Sequence, residues 1–161
     1  MTHFSQTREY LEQVKDAAKN VEMLMERIDA YEEAELDTTE LINELHAAKQ
    51  EHRQKVIEVS DMIARIPRSR YRWVLMKKYI NLMNHREIAD RNKTCVQIVS
   101  RDHGLALPEM QDVLVEAGII APEDAEDIRQ ILEEEGRLDN PTMQKYLKYR
   151  EEKMLRAVQA S

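Results

Sequence analysis

Very little in this chain can interrupt a helix. Three glycines and four prolines are spread over 161 residues, so turns are few and a glycine-rich, phosphate-cradling loop cannot be built. Aromatic residues make up only 5%, which leaves helix packing to Leu, Ile, Val and nine Met, the last suited to filling irregular gaps. A single cysteine, Cys95, excludes an intrachain disulfide and fits a reducing cytosol. No apolar run approaches the ~20 residues of a membrane span. The N-terminus, MTHFSQTREYLEQV, has neither the basic start nor the continuous apolar stretch of a signal peptide. We therefore expect a cytoplasmic protein with no membrane partner. P-loop, dinucleotide fingerprint, G-x-S-x-G, H-E-x-x-H and clustered zinc ligands are all missing. Neither an enzyme nor a bound cofactor or metal is expected.

What remains is helix-forming and charged. Asp, Glu, Lys and Arg supply 34% of the residues, and the reading is an all-α chain. Tyr10, Val14, Ala17, Val21, Leu24, Ile28 and Tyr31 recur at alternating spacings of four and three, a heptad seam for lengthwise packing. A break at 36–40 offers Asp37 or Thr38 as a cap for the next helix. Leu41, Leu45, Ala48, His52, Val56, Val59, Ile63 and Ile66 form a second seam, stopped by Pro67. Residues 1–66 thus read as a long antiparallel, coiled-coil-like helical hairpin and a dimerisation element. His52 lacks a second ligand one turn away and reads as a half-exposed seam residue.

Residues 67–107 read as a compact unit. A helix over 70–82 presents Trp73, Val74, Met76, Tyr79, Ile80 and Leu82 as apolar candidates. Asn84 and Glu87 have capping-box spacing for a short helix to Arg91. A turn at 92–94 and a helix from about Cys95 to His103, ended by Gly104, complete a helix-turn-helix pattern. Residues 108–161 form an acidic helical extension, with Pro122 and Pro141 opening helices and Gly118 and Gly136 closing them.

Charge is distributed unevenly. The middle unit carries nine Lys/Arg against three acids, a balance of +6, whereas the flanks carry −7 and −6. A polyanion would be repelled by both flanks and attracted to the centre, which points to a local nucleic-acid contact. The plainer alternative is a solvated basic face.

The middle unit resembles region four of bacterial sigma factors. It is more closely similar to small phage regulators of Gram-positive bacteria that carry this region. The resemblance rests on Arg70-Tyr71-Arg72-Trp73-Val74-Leu75 with Lys78-Tyr79-Ile80, on Arg86-Glu87-Ile88-Ala89-Asp90-Arg91, and on Arg101-Asp102-His103-Gly104-Leu105-Ala106-Leu107. It covers residues 5–107. The turn glycine of the family falls on Lys93, its apolar turn residue on Asn92, two arginines of its recognition helix on Val96 and Gln97, and a late apolar position on Asp102. The resemblance implies a dimeric, phage- or prophage-encoded transcription regulator in a bacterial host cell, bound to double-stranded DNA and touching RNA polymerase or another host protein.

In that arrangement the second helix enters the major groove. Thr94, Gln97, Ser100 and Arg101 would face the bases, with Gln97 suited to adenine and Arg101 to guanine. Arg68, Arg70, Arg72, Arg86, Arg91 and Lys93 would neutralise phosphates and set the register. Trp73, Tyr79, Ile88, Ala89 and Val99 read as core, and Cys95 as a passive small residue. The competing function is a protein-binding module on the same scaffold, such as a phage inhibitor of a host nucleic-acid enzyme, with the acidic flanks as working surface. A structural coiled-coil component of a phage particle suits the seams but leaves the middle motif unexplained.

Overall fold

The computed structural model describes residues 2–160, and all regular structure among them is helical. The order is α1 (Ser5–Leu11), α2 (Gln13–Glu33), α3 (Thr39–Ile63), α4 (Ser69–Leu75) running into a π-helical turn (Met76–Ile80), α5 (His85–Arg91), α6 (Val96–Glu116), a 3-10 turn (Pro122–Asp124), α7 (Ile128–Glu134) and α8 (Pro141–Ala160). Two compact units result, one spanning residues 4–120 and a smaller one made of residues 121–160 together with residues 2 and 3.

In the larger unit the two seams meet each other. Leu24, Ile28, Leu41 and Ala48 form a buried cluster, with Val21, Tyr31 and Leu45 packed around it. Farther along α3, Val59 and Ile63 are fully buried. The seams therefore spend most of their apolar surface inside one chain, leaving Met23, Met25, Ile42 and Ile57 exposed on the same two helices. The link between them turns at Glu35, whose φ of 56° is left-handed, while Leu36 N–H reaches back to Tyr31 O at 2.9 Å. Glycine is the usual residue at this position, because a side chain there meets its own backbone. Asp37 Oδ1 then accepts from the Thr39 N–H at 3.1 Å and from its hydroxyl at 2.7 Å at the start of α3.

The helix expected to end at Gly104 does not end there. α6 runs through Gly104 and Pro108 to Glu116, across the 107–108 boundary drawn from the sequence. Pro108 lacks the N–H that would donate to the carbonyl of Gly104, a loss that normally breaks a helix. Burial overrides it. Leu105, Ala106, Leu107, Met110 and Leu114 are at most 2% exposed, and α1, α3 and α4 all pack against α6. Gly118, with φ 75°, ends the helix, as Ile119 N–H bonds Leu114 O at 2.9 Å and Gly118 N–H bonds Val115 O at 3.0 Å.

The helix expected over 70–82 is also altered. Its second half is π-helical, closed by Asn81 N–H to Met76 O at 3.0 Å. The wider turn shifts the register, so Tyr79 is buried while Leu82 is exposed with φ 55°.

In the smaller unit Pro122 opens only a 3-10 turn; the helix begins at Ile128, capped by Asp127 accepting from Gln130 N–H at 3.1 Å. Gly136 closes α7 with φ 69°. Asn140 caps α8, accepting from Thr142 N–H at 2.9 Å and Met143 N–H at 3.2 Å. Ile128, Ile131, Leu132, Met143, Tyr146 and Leu147 are its buried residues.

Candidate nucleic-acid interface

α5 and the first turns of α6 are set by local chemistry. Asn84 Oδ1 accepts from Glu87 N–H at 2.8 Å, and the Glu87 carboxylate accepts from Asn84 N–H at 3.2 Å, forming the capping box. α5 closes at Lys93, φ 50°, with Thr94 N–H bonding Ala89 O at 2.9 Å. A lysine thus sits in the left-handed position that glycine prefers. The two helices are joined by Ile88, Ala89 and Val99, with Trp73 and Met83 packed on that cluster.

The expected contact residues divide into two groups. Arg86, Arg91, Lys93, Gln97 and Arg101 are exposed around the turn, and Thr94 is half-buried. Gln97 and Arg101 stand one turn apart and so share a face of α6. The remaining residues are engaged within the chain. Ser100 Oγ bonds His85 Nδ1 at 2.8 Å. Arg70 Nε donates to Asp102 Oδ2 at 2.7 Å, and Asp102 is also 3.5 Å from Arg101. Arg72 donates to Ile66 O at 2.6 Å and Pro67 O at 3.2 Å, tying α4 to the end of α3. Arg68 lies 3.8 Å from Glu109, whose side chain is fully buried. Three of the six residues expected to meet phosphate therefore have intramolecular partners. Asp102 is buried with Arg70 as its partner.

Reading the sequence did not find the polar groups that link these helices. Lys78 Nζ lies 2.8 Å from His85 Nε2. An ammonium can only donate, so Nε2 accepts and the neutral ring donates from Nδ1 to Ser100. Burial and the nearby cations Lys78 and Arg8 lower the His85 pKa below its usual value, which favours that neutral ring. Tyr79 OH and His103 Nε2 share a 2.6 Å bond, and the two imidazoles lie 5.3 Å apart. Burial pushes the Tyr79 phenol up to about 12, so it remains protonated. Glu109 is a further residue of this kind. Burial raises its carboxyl to about 8, and neither oxygen has a hydrogen-bond partner. For Ser100, His103 and Glu109 the sequence signal was a polar residue among apolar ones in 99–114, where periodicity cannot identify a partner.

A family-model comparison yields no match, nor do comparisons with curated proteins and solved structures.

Proposed function

We propose that the chain is a DNA-binding transcription regulator of the phage type, placing the first turns of α6 in the major groove. The observation that carries this reading is the group of exposed Arg86, Arg91, Lys93, Gln97 and Arg101 around the turn between α5 and α6. Arg86, Arg91 and Lys93 would neutralise phosphates and fix the register. Gln97, Arg101 and Thr94 would meet base edges, while Ser100 acts through His85 instead. Arg68, Arg70 and Arg72 hold α4 against α3 and α6, so their part is to position the reading helix.

Fluorescence-anisotropy titration of random duplex DNA and of DNA upstream of the gene, at low and physiological salt, tests the reading. Upstream preference that survives the higher salt is the expected result. Arg91→Glu should weaken binding to every sequence and flatten its salt dependence by roughly one unit of slope. Arg101→Ala should change which sequence is preferred. Absence of duplex binding at low salt sinks the proposal.

A protein-binding role on the same scaffold is the second reading. It is favoured by the internal pairing of Arg68, Arg70 and Arg72. Capture of a nuclease without any DNA affinity would decide for it.

A further inference from the structure

A cleft of about 570 Å³ opens between α2, the π turn and the segment leading into α5. Lys15, Ala18, Lys19 and Glu22 line it from α2, with Glu12 just before that helix, and Lys78, Leu82 and Met83 from the other side. Its volume lies within the range of small-molecule sites, and it has their usual mixture of apolar wall and a few convergent polar groups. The wall is made by Ala18, Leu82 and Met83.

Three lysines, Lys15, Lys19 and Lys78, face two glutamates in the lining. Burial lowers the pKa of half-buried Lys78, and Arg8 and Lys15 lower it further against the opposing pull of Glu12, so Arg8 adds a fourth cation to the site. Lys15 and Lys19 are exposed and form no salt bridge among the described residues. Glu22 lies two helical turns beyond Lys15, roughly 10 Å along the axis. Glu12 stands at the Lys15–Lys78 end, where Lys15, Lys78 and Arg8 outnumber it. Like charges held together around a partly desolvated ammonium are stabilised by an anion placed between them.

We infer that this cleft binds a small amphipathic anion, its carboxylate or phosphate head between Lys15 and Lys78 and its apolar body on Ala18, Leu82 and Met83. The site does not depend on α6 meeting DNA. It is nevertheless connected to α6, because the Lys78 ammonium bonds His85 and His85 bonds Ser100. The Lys78 ammonium has three donors, so a head group can accept one hydrogen while His85 Nε2 keeps another, and the added negative charge is felt at the imidazole.

Isothermal titration calorimetry of the full chain with 1-naphthyl phosphate, 1-naphthoate and neutral 1-naphthol tests the inference. At least one anion should bind saturably and more tightly than the naphthol, and the stronger of the two identifies the head group. Lys78→Gln should weaken that binding roughly tenfold, as expected for one charge-assisted hydrogen bond. Lys15→Gln, at an exposed position where folding is not at stake, should weaken it severalfold. Glu12→Gln should strengthen it. The His85 imidazole resonances should shift with the same saturation curve. The inference is overturned if no anion binds, if naphthol binds as tightly, or if neither lysine substitution changes the affinity.

Discussion

The residues that decide most in this molecule are polar side chains placed where an apolar one would be expected. Asp102 receives Arg70 at 2.7 Å and joins α4 to α6. Breaking such a pair from one side leaves a largely buried charge without its partner, which is more costly than the pair itself is stabilising. Glu109 is the more sensitive case. Its carboxyl titrates near 8 in the folded chain against a usual value of 4.5, because burial penalises the anion. Between those pH values the folded chain retains a proton that the unfolded chain has lost. Stability is therefore greatest below the unfolded value and falls as pH rises through the folded one. Each unit of the gap is worth about 1.4 kcal/mol. Glu109→Gln should abolish this slope and raise the melting temperature in mildly alkaline buffer, as read from thermal melts across neutral pH. An unchanged pH dependence would mean the carboxyl is ionised against Arg68. His85 acts in the opposite direction. Its lowered pKa means the stability it contributes is present above its usual 6.5 and is lost as pH falls through the folded value.

Among the elements, α5 depends most on its ends. Seven residues make too short a helix to persist alone. The Asn84–Glu87 capping box and the left-handed turn at Lys93 define it, and Ile88 and Ala89 hold it to α6. Asn84→Ala should cost about 1 kcal/mol, seen as a lower urea midpoint with an unchanged slope. This cap was legible in the sequence because it is a local pattern of two residue types at fixed spacing. The same holds for the stops at Gly118 and Gly136. The course of α6 was not legible. Gly104 and Pro108 are local breakers, and only the burial of Leu105 to Leu107 against three other helices carries the helix past them. The π turn escaped for a related reason. One extra residue in a turn leaves no mark on composition, yet it moves Leu82 to the surface.

At the scale of the whole molecule, acidity and compactness are apportioned differently from the sequence blocks. The unit spanning residues 4–120 contains both the seams and the basic island, so the −7 flank and the +6 centre belong to one body. In the smaller unit, α8 packs through Met143, Tyr146 and Leu147, while every described residue from 151 onward is exposed, including Met154, Leu155 and Val158. Local opening is easiest where few apolar contacts are lost. Amides of 151–160 should exchange with deuterium far faster than those of 105–114, as measured by hydrogen-exchange mass spectrometry. Equal protection would contradict this expectation.

Composition and periodicity alone determined that the chain is helical, where both seams lie, and where the Asn84 cap and the Gly118 and Gly136 stops fall. These are properties of neighbours along the chain. They also marked out the basic island, but charge counted along a sequence has no direction. Only the tertiary structure decided that Arg68, Arg70 and Arg72 turn toward Glu109, Asp102 and the end of α3, that Arg101 shares Asp102 with Arg70, and that Arg86, Arg91 and Lys93 stay at the surface. The physical reason is that an arginine's partner is set by which distant helix packs beside it. Packing of α6 also decides whether a buried acid within reach makes a cation a structural strut or leaves it available at the surface.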